Sequence, residues 1–74
     1  MIDNIKQAFD LLQQNTIDVA KQRIGRELSD QERVGILGIR SLMMLEACFI
    51  SFNSPNYSPS EIEVDLKYLA SENR

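Results

Sequence analysis

Few residues in this 74-residue chain are equipped for chemistry. It has no histidine, so the commonest general base and the commonest transition-metal ligand are both missing. Its single cysteine, Cys48, lies in the run MLEACFISF, where a free thiol behaves as a small buried hydrophobe. One cysteine without histidine argues against a zinc site, and the eleven carboxylates nowhere form the glycine-centred loop that calcium needs. Gly25, Gly35 and Gly38 are too scattered for a phosphate-cradling turn. No catalysis, metal or cofactor is expected. What remains is one hydroxyl in a suggestive setting, Ser41 within LGIRSLMMLE, at the middle of the chain.

That stretch resembles the prosthetic-group site of acyl and peptidyl carrier proteins, whose modified serine sits in a pattern like L-G-x-D-S-L at the start of a helix. Ser41 matches the serine, Gly38 the glycine three before it, Leu37 and Leu42 the flanking leucines, and Leu45 and Glu46 the following apolar and acidic positions. The resemblance implies a phosphopantetheine arm on an exposed Ser41 at a helix N-terminus, with acidic residues nearby for basic partner enzymes. The chain departs from the pattern in three ways. Arg40 stands where most of the family has aspartate, apolar residues follow Ser41 where an acidic face is expected, and the stretch after Ser58 is short for that family's last two helices. The reading of the residues themselves makes Ser41 a small residue buried or half-buried on an apolar helix, bonding back to a carbonyl one turn earlier.

A basic block is the other feature to weigh. Lys21, Arg23, Arg26, Arg33 and Arg40 put five of the eight basic residues within twenty positions, but Glu27, Asp30 and Glu32 leave that block at +2, while the remainder of the chain carries −5. A nucleic-acid-reading helix must offer polar side chains to base edges, and the helix after this block offers Ile, Leu and Met. The block reads as a solvated face with intrahelical pairs such as Arg23 with Glu27, and as a charged surface (Lys21, Arg23, Arg26, Arg33) for a protein partner. A nucleic-acid regulator using Lys21, Arg23 and Arg26 is the weaker alternative.

The elements that must position these residues are helices. Apolar residues recur every three or four positions from Ile2 through Phe9, Leu12, Thr16 and Ala20, with Asn15-Thr16 a candidate point of interruption, so either two helices, over about 2–14 and 16–27, or one long bent helix is expected. Ser29-Asp30-Gln31-Glu32 is a capping box that opens a third helix over about 30–52. The two prolines of FNSPNYSPSE end it, and Ser58-Pro59-Ser60-Glu61, a second capping box with proline at the first helical position, opens a last helix over about 59–71. Nothing alternates as a strand does. The expected architecture is a single all-α domain, residues 1–74, with three or four helices around a central apolar one.

At about 100° per residue, the apolar side chains of that central helix point in every direction. A chain this short, which buries only about 60% of its unfolded surface, shelters about two sides. Met43, Met44, Phe49 and Ile50, with Arg40 beside them, are therefore expected to face a partner or a second copy of the chain. This inference rests on the helix running unbroken from Val34 to Phe52. Arg40 and Glu46 at its heart argue against a membrane span, and the start MIDNIKQAFD lacks the pattern of a signal peptide. The expectation is a small cytoplasmic, homodimeric, non-enzymatic module that binds another protein, of the kind found among regulators, inhibitors and adaptors, phage and mobile-element proteins included.

Overall fold

The computed structural model describes residues 2–72. Four helices follow one another, α1 (Ile2–Ile24), α2 (Asp30–Leu37), α3 (Leu42–Phe52) and α4 (Pro59–Glu72), and no strand occurs among the described residues. The chain is all-helical, and no helix is long and apolar enough to cross a membrane among those residues.

Of the two alternatives for the first third of the chain, the structure has the single helix, and α1 runs through Asn15-Thr16 without a break. Thr16 is fully buried, and its hydroxyl donates to the Leu12 carbonyl at 2.7 Å, so the side chain is satisfied without leaving the helix. The helix also ends earlier than Glu27. Gly25 adopts φ +74° and its N–H donates to the Lys21 carbonyl at 3.0 Å, the left-handed stop that glycine accepts without strain.

The larger correction concerns the central helix, which is not one rod over 30–52 but two pieces, α2 and α3, joined through residues 38–41. Three contacts impose the break. Ile39 turns into the core and is 7% exposed. Gln13 of α1 donates to the Leu37 carbonyl at 3.1 Å, taking up an acceptor that a continuing helix would use. Ser41, in an extended conformation, caps the next helix by accepting from the Met44 N–H. The uninterrupted rod on which the expected sticky surface rested is therefore absent, and any case for such a surface must come from the observed exposures.

Both capping boxes form. Ser29 and Glu32 exchange side-chain and backbone bonds at 3.2 and 2.8 Å, as Ser58 and Glu61 do at 3.2 and 3.1 Å. The helices pair crosswise, with α2 packed chiefly on α4 and α1 on α3. Ile36, Leu45, Phe52, Ile62 and Leu66 are buried almost completely, each contributing about 1.5–3 kcal/mol from its apolar surface. Gly35 lets α2 approach α4 closely, since a Cβ placed there would lie 2.7 Å from the Leu69 carbonyl carbon and 2.9 Å from the Ala70 nitrogen.

Candidate functional site

Helix α3 lies against α1 with Leu45 and Phe52 buried and Cys48 and Phe49 half-buried. The rest of its surface is open. Met43 is 80% exposed, Ile50 67%, Met44 58% and Leu42 49%, and Ala47 is exposed between them. Glu46 is the one charged residue of the eleven in α3. On the α1 side this face continues into a groove lined by Ala8, Leu11, Leu12 and Asn15 of α1 with Leu42 and Glu46 of α3, and Leu11 is 61% exposed there.

Of the residues expected at an interface, Met43, Met44 and Ile50 share this face. Phe49 is half-buried at its edge, and Arg40 precedes the helix, exposed, where it lines a second cleft with Lys6, Phe9, Asp10, Gln13, Leu37 and Ile39. Leu42 and Leu11 belong to the apolar surface and were not anticipated. Leu11 offered one signal, an isolated apolar residue lying off the periodic stripe of its helix.

The charged residues sort differently. Arg23 is half-buried and faces inward across the molecule, donating to the carbonyls of Phe52 at 2.6 Å, Ser54 at 2.9 Å and Tyr57. It gathers the end of α3 and the loop after it, where a helix leaves carbonyls without intrahelical donors. Lys21, not Arg23, is the partner of Glu27, at 3.0 Å. Arg26 lies between Glu32, at 2.9 Å, and Glu63, linking α1's end to α2 and α4. Arg33 is exposed on α2, and neither it nor Arg40 makes an ion pair among the described residues. The basic block is therefore largely engaged within the fold.

These pairs set a pH dependence. The Arg26 guanidinium hydrogen-bonded to Glu32, with help from the Ser29 N–H, holds that carboxyl down at about 2 against an ordinary 4.5. A folded-state value below the unfolded one stabilises the fold above pH 4.5, and that contribution is lost as pH falls through 2. Denaturant titrations should therefore find Glu32→Gln less stable than the parent at pH 7, with the difference shrinking between pH 4.5 and 2. An equal difference at pH 7 and pH 2 would remove this pair as its cause. Tyr57, donating to Asp65, has its hydroxyl pushed up to about 12 by that bond. Burial pushes the Cys48 thiol up, which makes it a poor nucleophile at neutral pH.

Ser41 occupies the break between the two central helices. It is exposed, its backbone is extended, and its Oγ accepts from the Met44 N–H at 3.3 Å. It neither lies within a helix nor bonds back to an earlier carbonyl, as the reading of the residues had it. Among the described residues no group of three or more carboxylate or thiol side chains is placed to hold a metal ion. No protein-family model matches the chain, and comparison with curated proteins and with solved structures gives no significant match.

Proposed function

We propose that this chain is a small non-enzymatic protein-binding module whose α3 face and adjoining α1 groove receive an amphipathic helix of another protein. The observation that carries the reading is the exposure of Met43 and Ile50, seven residues apart on one face of α3, beside a groove that exposed Leu42 and Leu11 line. Apolar patches of this kind are uncommon on monomeric surfaces and mark interaction sites. Methionine suits such a surface, because its unbranched, polarisable side chain adapts to the shape of its partner. The groove has the form used for helix recognition, with apolar walls and a single carboxylate, Glu46, at its rim. The partner helix is accordingly one with an apolar stripe flanked by lysine or arginine. A role as regulator, inhibitor or adaptor follows from binding without catalysis.

A photo-crosslinking residue at position 43 or 47, introduced into the chain in its native host, should give a discrete protein adduct, and the same residue at exposed position 22 on α1 should not. Met43→Asp with Ile50→Asp should abolish the adduct formed from position 47 and leave the melting temperature within a few degrees, since both side chains are exposed. Equal labelling from positions 22 and 47, or none from either, would sink the reading.

One observation favours a second reading. Ser41 is exposed at the N-terminus of α3, which is the placement that the carrier-protein resemblance requires. Co-expression with a phosphopantetheinyl transferase, followed by intact-mass measurement, decides it. A mass gain lost in Ser41→Ala supports a carrier, and an unmodified chain rejects one.

A further inference from the structure

From the break at residues 38–41, we infer that the chain associates with a second copy of itself by exchanging halves, with α2 and α3 fusing into one helix across the hinge. Three observations lead there.

The hinge starts out as a helix would. Gly38 has right-handed helical angles, φ −82° and ψ −8°, and its N–H donates to the Val34 carbonyl at 2.8 Å, four residues back. The Ile39 N–H reaches the Ile36 carbonyl at 3.1 Å, and the helical bonds resume with the Leu45 N–H on the Ser41 carbonyl. Residues 39–41 lie outside both helices, and the hinge contains no proline. Closing the gap completes a backbone ladder over 30–52.

The packing is divided between the halves. α1 and α2 precede the hinge, α3 and α4 follow it, and the dominant pairs, α2 with α4 and α1 with α3, both cross it. A second copy supplies the same partners when the hinge straightens. The unfolded chain, 8.5 kDa, exposes about 12,000 Å². The folded chain exposes 5352 Å², so folding removes roughly 7,000 Å². Even a quarter of that, exchanged between copies, reaches the ~1,600 Å² of a standard specific interface.

The apolar residues left open beside the hinge are in register across it. In a single helix over 30–52, Val34, Leu37, Ser41, Met44 and Cys48 follow one another at alternating spacings of three and four, the repeat of a helix-pairing seam. In the folded chain Val34, Leu37 and Met44 are each about half exposed and belong to two different helices. Fusion makes them one stripe, available to the same stripe of the second copy. Met43 and Ile50, which carry the docking face proposed above, lie roughly on the opposite side of that helix, so the exchange draws on a different stripe.

The test refolds the full chain at millimolar concentration and measures its mass by light scattering, comparing parent, Ser41→Ala and Arg40→Pro. Ser41→Ala removes the cap of α3, which only the broken helix uses, at a cost of about 1 kcal/mol at each of two hinges, so the association constant should rise roughly thirtyfold. Proline prevents fusion, so Arg40→Pro should remain monomeric. The dimer is then trapped through cysteines at Gln31 and Lys67, which line one cleft between α2 and α4, in a Cys48→Ala background. An exchanged dimer gives a disulfide between chains, and the monomer gives one within the chain. Absence of dimer in both parent and Ser41→Ala overturns the inference, as does a dimer whose disulfides all lie within single chains. Met43→Asp with Ile50→Asp should leave the exchange unchanged, which separates its failure from failure of the docking reading.

Discussion

Replacing Gly35 with alanine should lower the melting temperature by roughly 8–16 °C, the largest effect expected of any single added methyl group. A Cβ at this position would meet the Leu69 carbonyl carbon at 2.7 Å, the Leu69 oxygen at 2.8 Å and the Ala70 nitrogen at 2.9 Å. All three are backbone atoms inside α4, so no side chain can swing aside. Relief requires α2 and α4 to separate, and Ile36, Ile62 and Leu66 are buried in that region of the core. Overpacking costs about 1–3 kcal/mol, and more where the neighbours cannot yield. Alanine regains about 1 kcal/mol of helix propensity over glycine, leaving a net loss of about 2 kcal/mol. In a domain of this size each kcal/mol moves the midpoint by about 4–8 °C. Gly35→Val, which adds bulk without that compensation, should not fold. A Gly35→Ala midpoint at or above that of the parent, read by circular dichroism, would show that the two helices have slack the structure does not display.

Truncating Arg23 to alanine should cost about 2–3 kcal/mol. One guanidinium serves the carbonyls of Phe52, Ser54 and Tyr57, and bonds from a charged donor contribute about 1.5–3 kcal/mol when well placed. The half-exposed setting lets water recover part of that loss, so the total stays near the value of one such bond. Arg23→Lys should restore less than half, because an ammonium has no planar fork to span carbonyls on two sides. The diagnostic measurement is amide exchange. Residues 53–58 should lose protection in Arg23→Ala, and the middle of α1 should keep it relative to global unfolding. Unchanged exchange in that loop would mean that its own turn bonds, from Ser54 N–H to the Ser51 carbonyl and from Tyr57 N–H to the Ser54 carbonyl, suffice to hold it.

The contrast between these side chains and the capping boxes explains what could be read from the residue string. Ser29 with Glu32 and Ser58 with Glu61 are partners three positions apart, and both boxes appear where the letters place them. The all-helical class followed from periodicity in the same local way. The break before Ser41 did not, because it is imposed from elsewhere. Gln13 holds the Leu37 carbonyl from twenty-four residues away, and Ile39 is drawn into a core assembled from all four helices. Arg23 likewise acts on carbonyls twenty-nine to thirty-four residues distant, and an intrahelical pair with Glu27 was the natural local alternative. The exposed apolar residues Met43, Met44 and Ile50 were legible from the excess of oily side chains over available cover. No unbroken rod presents them, and their exposure belongs to α3 alone.

The crosswise pairing of the helices has a consequence for the covalent chain itself. The peptide link at residues 38–41 joins two surfaces that already fit each other, and Arg40, exposed within it, offers a tryptic site. Continuity there contributes proximity and little recognition. Two separately made fragments, 1–40 and 41–74, each carry one side of the core and would reassemble as a split protein.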